Sequence, residues 1–176
     1  RTNNSLVEMK GQATKQWANV ESSYQRRSDL IENLVKTVQG AADFERGTLT
    51  DVIEARSKAT NTTIDANNLT PESLAAFQEA QTGLSSALSR LLVTVERYPD
   101  LKANQNFLEL QSQLEGTENR INVERNRFND LAGDYNIRIK QIPTNIVASI
   151  GNFEPMGLFS SNPGSENAPE VNFEFD

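Results

Sequence analysis

Leu74, Phe77, Gln81, Leu84, Leu88, Leu91, Val95 and Tyr98 follow one another at alternating three- and four-residue steps. On an α-helix that spacing gathers them into one stripe, the seam along which a helix packs against other helices. The rhythm recurs in residues 6–38 and 101–142, so the implied fold is all-α. The architecture it predicts is an antiparallel up-and-down four-helix bundle with long helices. Gln81 interrupts an otherwise apolar seam, and such interruptions are the one unusual feature of the pattern.

The first helix is expected over about residues 4–38, with Leu6, Ala13, Trp17, Val20, Tyr24, Arg27, Ile31 and Leu34 turned inward. As the sole tryptophan, Trp17 reads as a core anchor. Gly40 and Gly47 each cost a helix about 1 kcal/mol relative to Ala. A break there is favoured over one continuous helix, and Thr48-x-x-Asp51 then has the form of a capping box opening a second helix. Residues 61–70 read as a polar loop ending in Thr70-Pro71-Glu72, which supplies an N-cap, a proline at the first helical position and an acid for the helix dipole. Tyr98-Pro99 ends the third helix. Asp100 is expected to cap a fourth at once, in a tight hairpin running to Ile142, with Leu101, Leu108, Gln111, Glu118, Ile121, Arg125, Phe128 and Tyr135 inward and Arg125 near Trp17.

A short apolar turn, Asn145 to Ile150, then closes the end of a bundle domain spanning residues 1–151. Residues 152–176 are expected to form a flexible acidic tail, rich in Pro, Gly, Ser and Asn over 160–169. Val171, Phe173 and Phe175 alternate with polar residues and either dock on the bundle or dangle.

Composition narrows the chemistry. The 176 residues contain neither Cys nor His. That removes thiolate and ordinary zinc or di-iron sites, and the commonest general base at neutral pH. The net charge of −7 is concentrated in the tail, where Glu154, Glu166, Glu170, Glu174 and Asp176 face no Lys or Arg. A near-neutral body with an acidic tail lacks the basic footprint of a nucleic-acid binder. No phosphate-binding glycine loop, nucleophile elbow or metal motif is present, so no catalytic, cofactor or metal residue is assigned.

Several short motifs occur in order: Asn4-Ser5-Leu6-Val7, Trp17, Arg26-Arg27-x-Asp29-Leu30-Ile31-x-Asn33-Leu34-Val35, Glu54-Ala55-Arg56, Glu118-Asn119-Arg120-Ile121, Phe128-Asn129 and Tyr135-Asn136. Together they resemble the LemA family of bacterial proteins over roughly residues 4–150. Glu32 stands where the family often has proline, which implies a straighter first helix. The resemblance implies a four-helix bundle behind a single N-terminal transmembrane segment, with no established enzymatic activity and, for some relatives, a link to membrane shaping. Since the sequence starts at Arg1 without an apolar run, the anchor is expected just upstream, giving a single-pass cell-membrane protein whose soluble side is open.

Arg27, Arg56, Gln81 and Glu118 occupy seam positions in four different helices. Flush antiparallel packing would bring them to one level, with Glu115 and Asp29 near enough to add charge. Such a layer fixes bundle register, or, with two forked guanidinium groups, offers a small anion or carboxylate site. The expected function is therefore a non-enzymatic membrane-anchored scaffold or adaptor for a protein partner. The alternative is a ligand-responsive sensor built on the polar layer. Oligomeric state is open.

Overall fold

In the computed structural model, which describes residues 1–160, the elements in chain order are α1 (Thr2–Gln39), α2 (Arg46–Asn61), α3 (Pro71–Val95), α4 (Pro99–Lys102), α5 (Gln105–Lys140) and α6 (Thr144–Ile150). Of these, α3 and α5 open on side-chain caps and α1 stops at a glycine. Helix makes up 79% of the structure, and the described residues contain no strand. α1 continues through Glu32 and stops at Gly40, so the chain breaks before α2. Thr70 caps α3 by accepting the Ser73 N–H at 3.2 Å, with Pro71 in the first turn.

Two expected caps are corrected. α2 begins at Arg46, ahead of Thr48, whose hydroxyl is buried and makes no hydrogen bond among the described residues, so no capping box forms. α3 ends at Val95, and Asp100 lies in the first turn of the four-residue α4. The long helix that follows is capped by Asn104, whose Oδ1 accepts the Asn106 and Phe107 N–H groups at 2.9 and 3.2 Å. This break resets the helical phase. Phe107 and Thr117 are buried where Leu108 and Glu118 were expected, and Leu108 is exposed. From Ile121 onward the expected seam holds at Phe128, Tyr135 and Ile139, but Glu124 replaces Arg125 inside, and Ile142 lies beyond the helix in solvent.

α1 lies against α5 along most of its length, and also against α2, which in turn lies against α3. The pairs Gln16–Glu124 and Arg27–Glu118 show that α1 and α5 run in opposite directions. α3 and α5 approach each other far less closely. Two apolar clusters follow one another along the molecule. One joins the second half of α1 to α2, α3 and the start of α5 through Ile31, Leu34, Val52, Leu84 and Leu91. The other surrounds Trp17 with Tyr24, Phe77, Phe128, Tyr135 and Phe159.

Residues 152–160, placed by sequence in a flexible tail, are instead bound. Asn152 turns the chain with φ +52°, a left-handed conformation that Asn tolerates. The segment then returns along α5, burying Met156 and Phe159. The acidic remainder of the expected tail, with Val171, Phe173 and Phe175, lies outside the described residues.

Candidate functional site

The gap between α3 and α5 brings the buried Arg27 and Gln81 together with Ser85 and Glu118. Its α6 end is filled by the returning segment, whose hydrogen bonds run mostly through its backbone. Asn136 accepts the Met156 N–H at 2.7 Å and donates to the Met156 carbonyl at 2.8 Å. Asn129 makes the same pair of bonds with Phe159, at 2.8 and 2.9 Å. From α3, Gln78 accepts the Ser160 N–H at 3.1 Å and donates to its carbonyl at 2.9 Å. The spacing is geometric: seven helical residues and three extended ones each span about 10 Å, so two asparagines seven apart meet two residues three apart. Tyr135 adds a bond from its hydroxyl to the Glu154 carbonyl.

Phe159 is the anchor of this segment. Its ring stacks on Trp17 at 6.0 Å and meets Phe128 edge-on at 5.8 Å. Arg125 lies over the outer face of Phe159 at 4.7 Å and donates to the Ser160 carbonyl. The sequence placed Arg125 beside Trp17; the strand-like segment intervenes between them. Burial raises the phenol pKa of Tyr24, against the lowering effect of Arg125 and Arg27, and burial followed by the Glu154 charge raises that of Tyr135.

Among the described residues, the gap next to Ser160 forms a cleft of about 280 Å³ over Arg27, Ser85, Glu118 and Asn122. Arg27 is only 2% exposed. It donates to Glu118 at 3.0 Å and Ser85 at 2.9 Å through one nitrogen, and to the Gln81 side chain and carbonyl at 2.5 and 3.2 Å through the other. Its Nε is buried and has no acceptor among the described residues. The Glu118 side chain is 42% exposed and forms a wall of the cleft. A neighbouring cleft on the same side shares Ser85, Ser89 and Glu118 and is floored by Leu88, Leu92 and Leu114.

Of the six residues expected in one layer, Arg27, Gln81 and Glu118 come together and three do not. Arg56 turns instead to the Ser28 carbonyl and Glu32, because α2, whose Thr60 meets Ser28, is displaced along α1 from where flush ends would place it. Asp29 faces outward and accepts from Gln25, and Glu115 is exposed on the far rim of the second cleft. Sequence reasoning missed Ser85, and also buried Glu124, which accepts from Gln16 at 2.6 Å with Arg120 and Arg127 flanking it. It also missed the amide clamp, although the repeated aromatic–Asn pair, Phe128-Asn129 and Tyr135-Asn136, carried the signal.

Comparison with known proteins places the site in context. The model of the LemA family matches residues 16–173. A magnetosome protein MamQ of Magnetospirillum gryphiswaldense is 26% identical over 184 residues, covering 93% of this chain and 66% of the relative. MamQ 1 of Paramagnetospirillum magneticum aligns with the same identity and coverage. A protein LemA of Metamycoplasma hominis is 25% identical over 143 residues, covering 81% of this chain and 62% of its own length. The chain thus spans slightly under two thirds of these relatives.

Proposed function

The chain belongs to the LemA family, and from that premise we propose that it is a non-enzymatic, membrane-anchored adaptor. In this reading an up-and-down four-helix bundle uses its α3–α5 groove to hold an extended segment of a protein partner. The observation that supports it is the half-filled groove. One half already grips an extended segment through backbone hydrogen bonds from Gln78, Asn129 and Asn136. The other half, above Arg27, Leu88 and Leu114, is a cleft that no described residue fills. Backbone capture with a few side-chain pockets is a recurring mode of peptide recognition. The absence of His and Cys and the saturation of both Arg27 terminal nitrogens argue against chemistry at this site.

Anchoring is part of the proposal, carried by the family resemblance. Among the described residues no helix is long and apolar enough to cross a membrane. The native full-length protein should sediment with membranes and need detergent for release; release by high salt alone would remove the anchor. For the groove, a photo-crosslinking residue at Ser89 or Asn119 should capture a partner in cells, while one at Arg26 should not. Equal capture from both faces would end the groove assignment.

The open wall at Glu118 supports one second reading, a sensor in which a small carboxylate or phosphate competes with Glu118 for Arg27. A thermal shift with acetate or inorganic phosphate, abolished by Arg27→Lys, would favour that reading over the adaptor.

A further inference from the structure

The end of the molecule that carries α6 presents an apolar tip. Ile146 and Ile150 lie one turn apart on α6, and Ile142 occupies the turn before it; they are 60%, 80% and 84% exposed. The same helix buries Thr144 and Ala148 against the body, so the isoleucines are on the outside by construction. Because α6 packs on both α1 and α5, and those two helices run in opposite directions, the tip sits at the end where α1 begins. The charge there is unlike the rest of the chain. Residues 135–153 hold Arg138 and Lys140 and no acid, and residues 1–7 hold Arg1 and no acid, with Asp134, Glu154 and Glu8 at the edges of these stretches, in a protein of net charge −7.

We propose that this tip is a lipid-docking surface, with Ile142, Ile146 and Ile150 inserted at the bilayer interface and Arg138, Lys140 and Arg1 set against anionic headgroups. Exposed branched aliphatics with cations on the adjoining turns are what interfacial insertion needs. Three isoleucines make a patch on the order of a few hundred Å², well short of the ~1,200 Å² of a stable protein interface. A second copy of the chain is therefore the poorer occupant. The inference extends the proposed membrane attachment but does not need the anchor, since the surface lies within residues 1–160. A docked tip would hold α1 and α5 upright and point the α3–α5 groove away from the lipid.

The test uses the chain of residues 1–176, in which no described helix is long and apolar enough to cross a membrane, in flotation with vesicles of phosphatidylcholine alone or with one-fifth phosphatidylglycerol. The chain should float with the mixed vesicles, more weakly with the neutral ones. Replacing Ile142, Ile146 and Ile150 together by Ser should reduce the bound fraction at least ten-fold, with helical circular dichroism unchanged because all three positions are exposed. The double variant Arg138→Gln, Lys140→Gln should lose the preference for anionic vesicles but keep the neutral component. Equal flotation of the isoleucine variant and the unaltered chain, or no flotation of either, would overturn the proposal. So would a dimer in sedimentation equilibrium that the isoleucine variant abolishes without any vesicle binding. The detergent requirement of the full-length protein is measured separately, so a tip that fails leaves the anchor standing, and the reverse.

Discussion

The two apolar clusters lie end to end along α1 and α5 and are closed by different means. Around Ile31, Leu34 and Leu84 the walls are helices, and the packing is mostly aliphatic. Around Trp17 the helices leave a side open, because α2 has ended and α3 stands off from α5. There the loop before α3 contributes Leu69, and the returning segment contributes Met156 and Phe159. Aromatic rings suit this second region, since each fills a wide gap with few residues. Between the two regions sits Arg27, bonded to Gln81, Ser85 and Glu118. The lesson is that the aromatic half of this core is completed only by the last described residues, Met156 and Phe159.

The largest expected effect breaks that dependence directly. A chain ending at Gly151 loses both Met156 and Phe159, each buried. Losing a buried Met costs about 2–5 kcal/mol and a buried Phe about 3–5. Hydrogen exchange should then show the first half of α1 and the start of α3 losing protection while α2 keeps it. Uniform loss across both regions would mean that they fold as one cooperative unit, and the contrast between them would be gone.

A smaller change tests the same closure without removing an atom. Gly157 passes so near the start of α3 that an added Cβ would lie 2.7 Å from the Thr70 carbonyl oxygen and 2.9 Å from Leu74 Cβ. Gly157→Ala should therefore destabilise by about 1–3 kcal/mol through overpacking and quench the ordered Trp17 environment. Gly83, in α3, has nothing within 4 Å of its added Cβ. Gly83→Ala should stabilise by up to about 1 kcal/mol. Opposite signs in a denaturant titration would confirm that closeness to the segment, rather than loss of glycine itself, sets the cost.

How much of this was legible follows the same division. The helix-walled region could be read because its residues repeat at helical spacing and its breaks carry Gly, Pro or a capping Thr, as at Gly40 and Thr70-Pro71. The register failed at Asn104, a favoured N-cap residue masked by the nearer candidate Asp100, and its cap reset the phase and exchanged Leu108 for Phe107. The aromatic region was half legible. Trp17, Phe128 and Tyr135 lie on seams, but Phe159 lies in a stretch whose Pro and Gly imitate a loose tail. The segment's order comes from partners on α3 and α5, Asn129 and Gln78 among them, and nothing in the spacing of residues 152–160 themselves records those contacts; only the repeated aromatic–Asn pair on α5 hints at them. For the polar layer, charge on a seam located Arg27 and Gln81, whereas Arg56 depended on how far α2 slides along α1.

The amide clamp offers a finer cut. Asn129→Ala and Asn136→Ala each remove two bonds to a partly buried backbone, worth about 1–2 kcal/mol. Thermal denaturation should show both losses in the intact chain, and neither in the chain ending at Gly151. A loss that survives truncation would assign these asparagines to helix packing instead.

The smallest effect concerns the junction between the regions. A charge sealed into a seam, stripped of its partner, costs about 3–5 kcal/mol, and the sequence alone sets that expectation for Glu118→Ala. The geometry lowers it. Arg27 is buried, but Glu118 is 42% exposed at the wall of an open cleft, so water already screens the pair and can replace the carboxylate. Arg27 also keeps Ser85 and both acceptors of Gln81. The loss should fall to about 1 kcal/mol, in the range of solvent-accessible ion pairs, and shrink further in high salt. Gln81→Leu, which removes the buried side-chain acceptor and leaves one guanidinium nitrogen with only a carbonyl, should cost more than Glu118→Ala. The reverse order in urea titrations would mean that the cleft is closed in solution and that Arg27 depends on Glu118 after all.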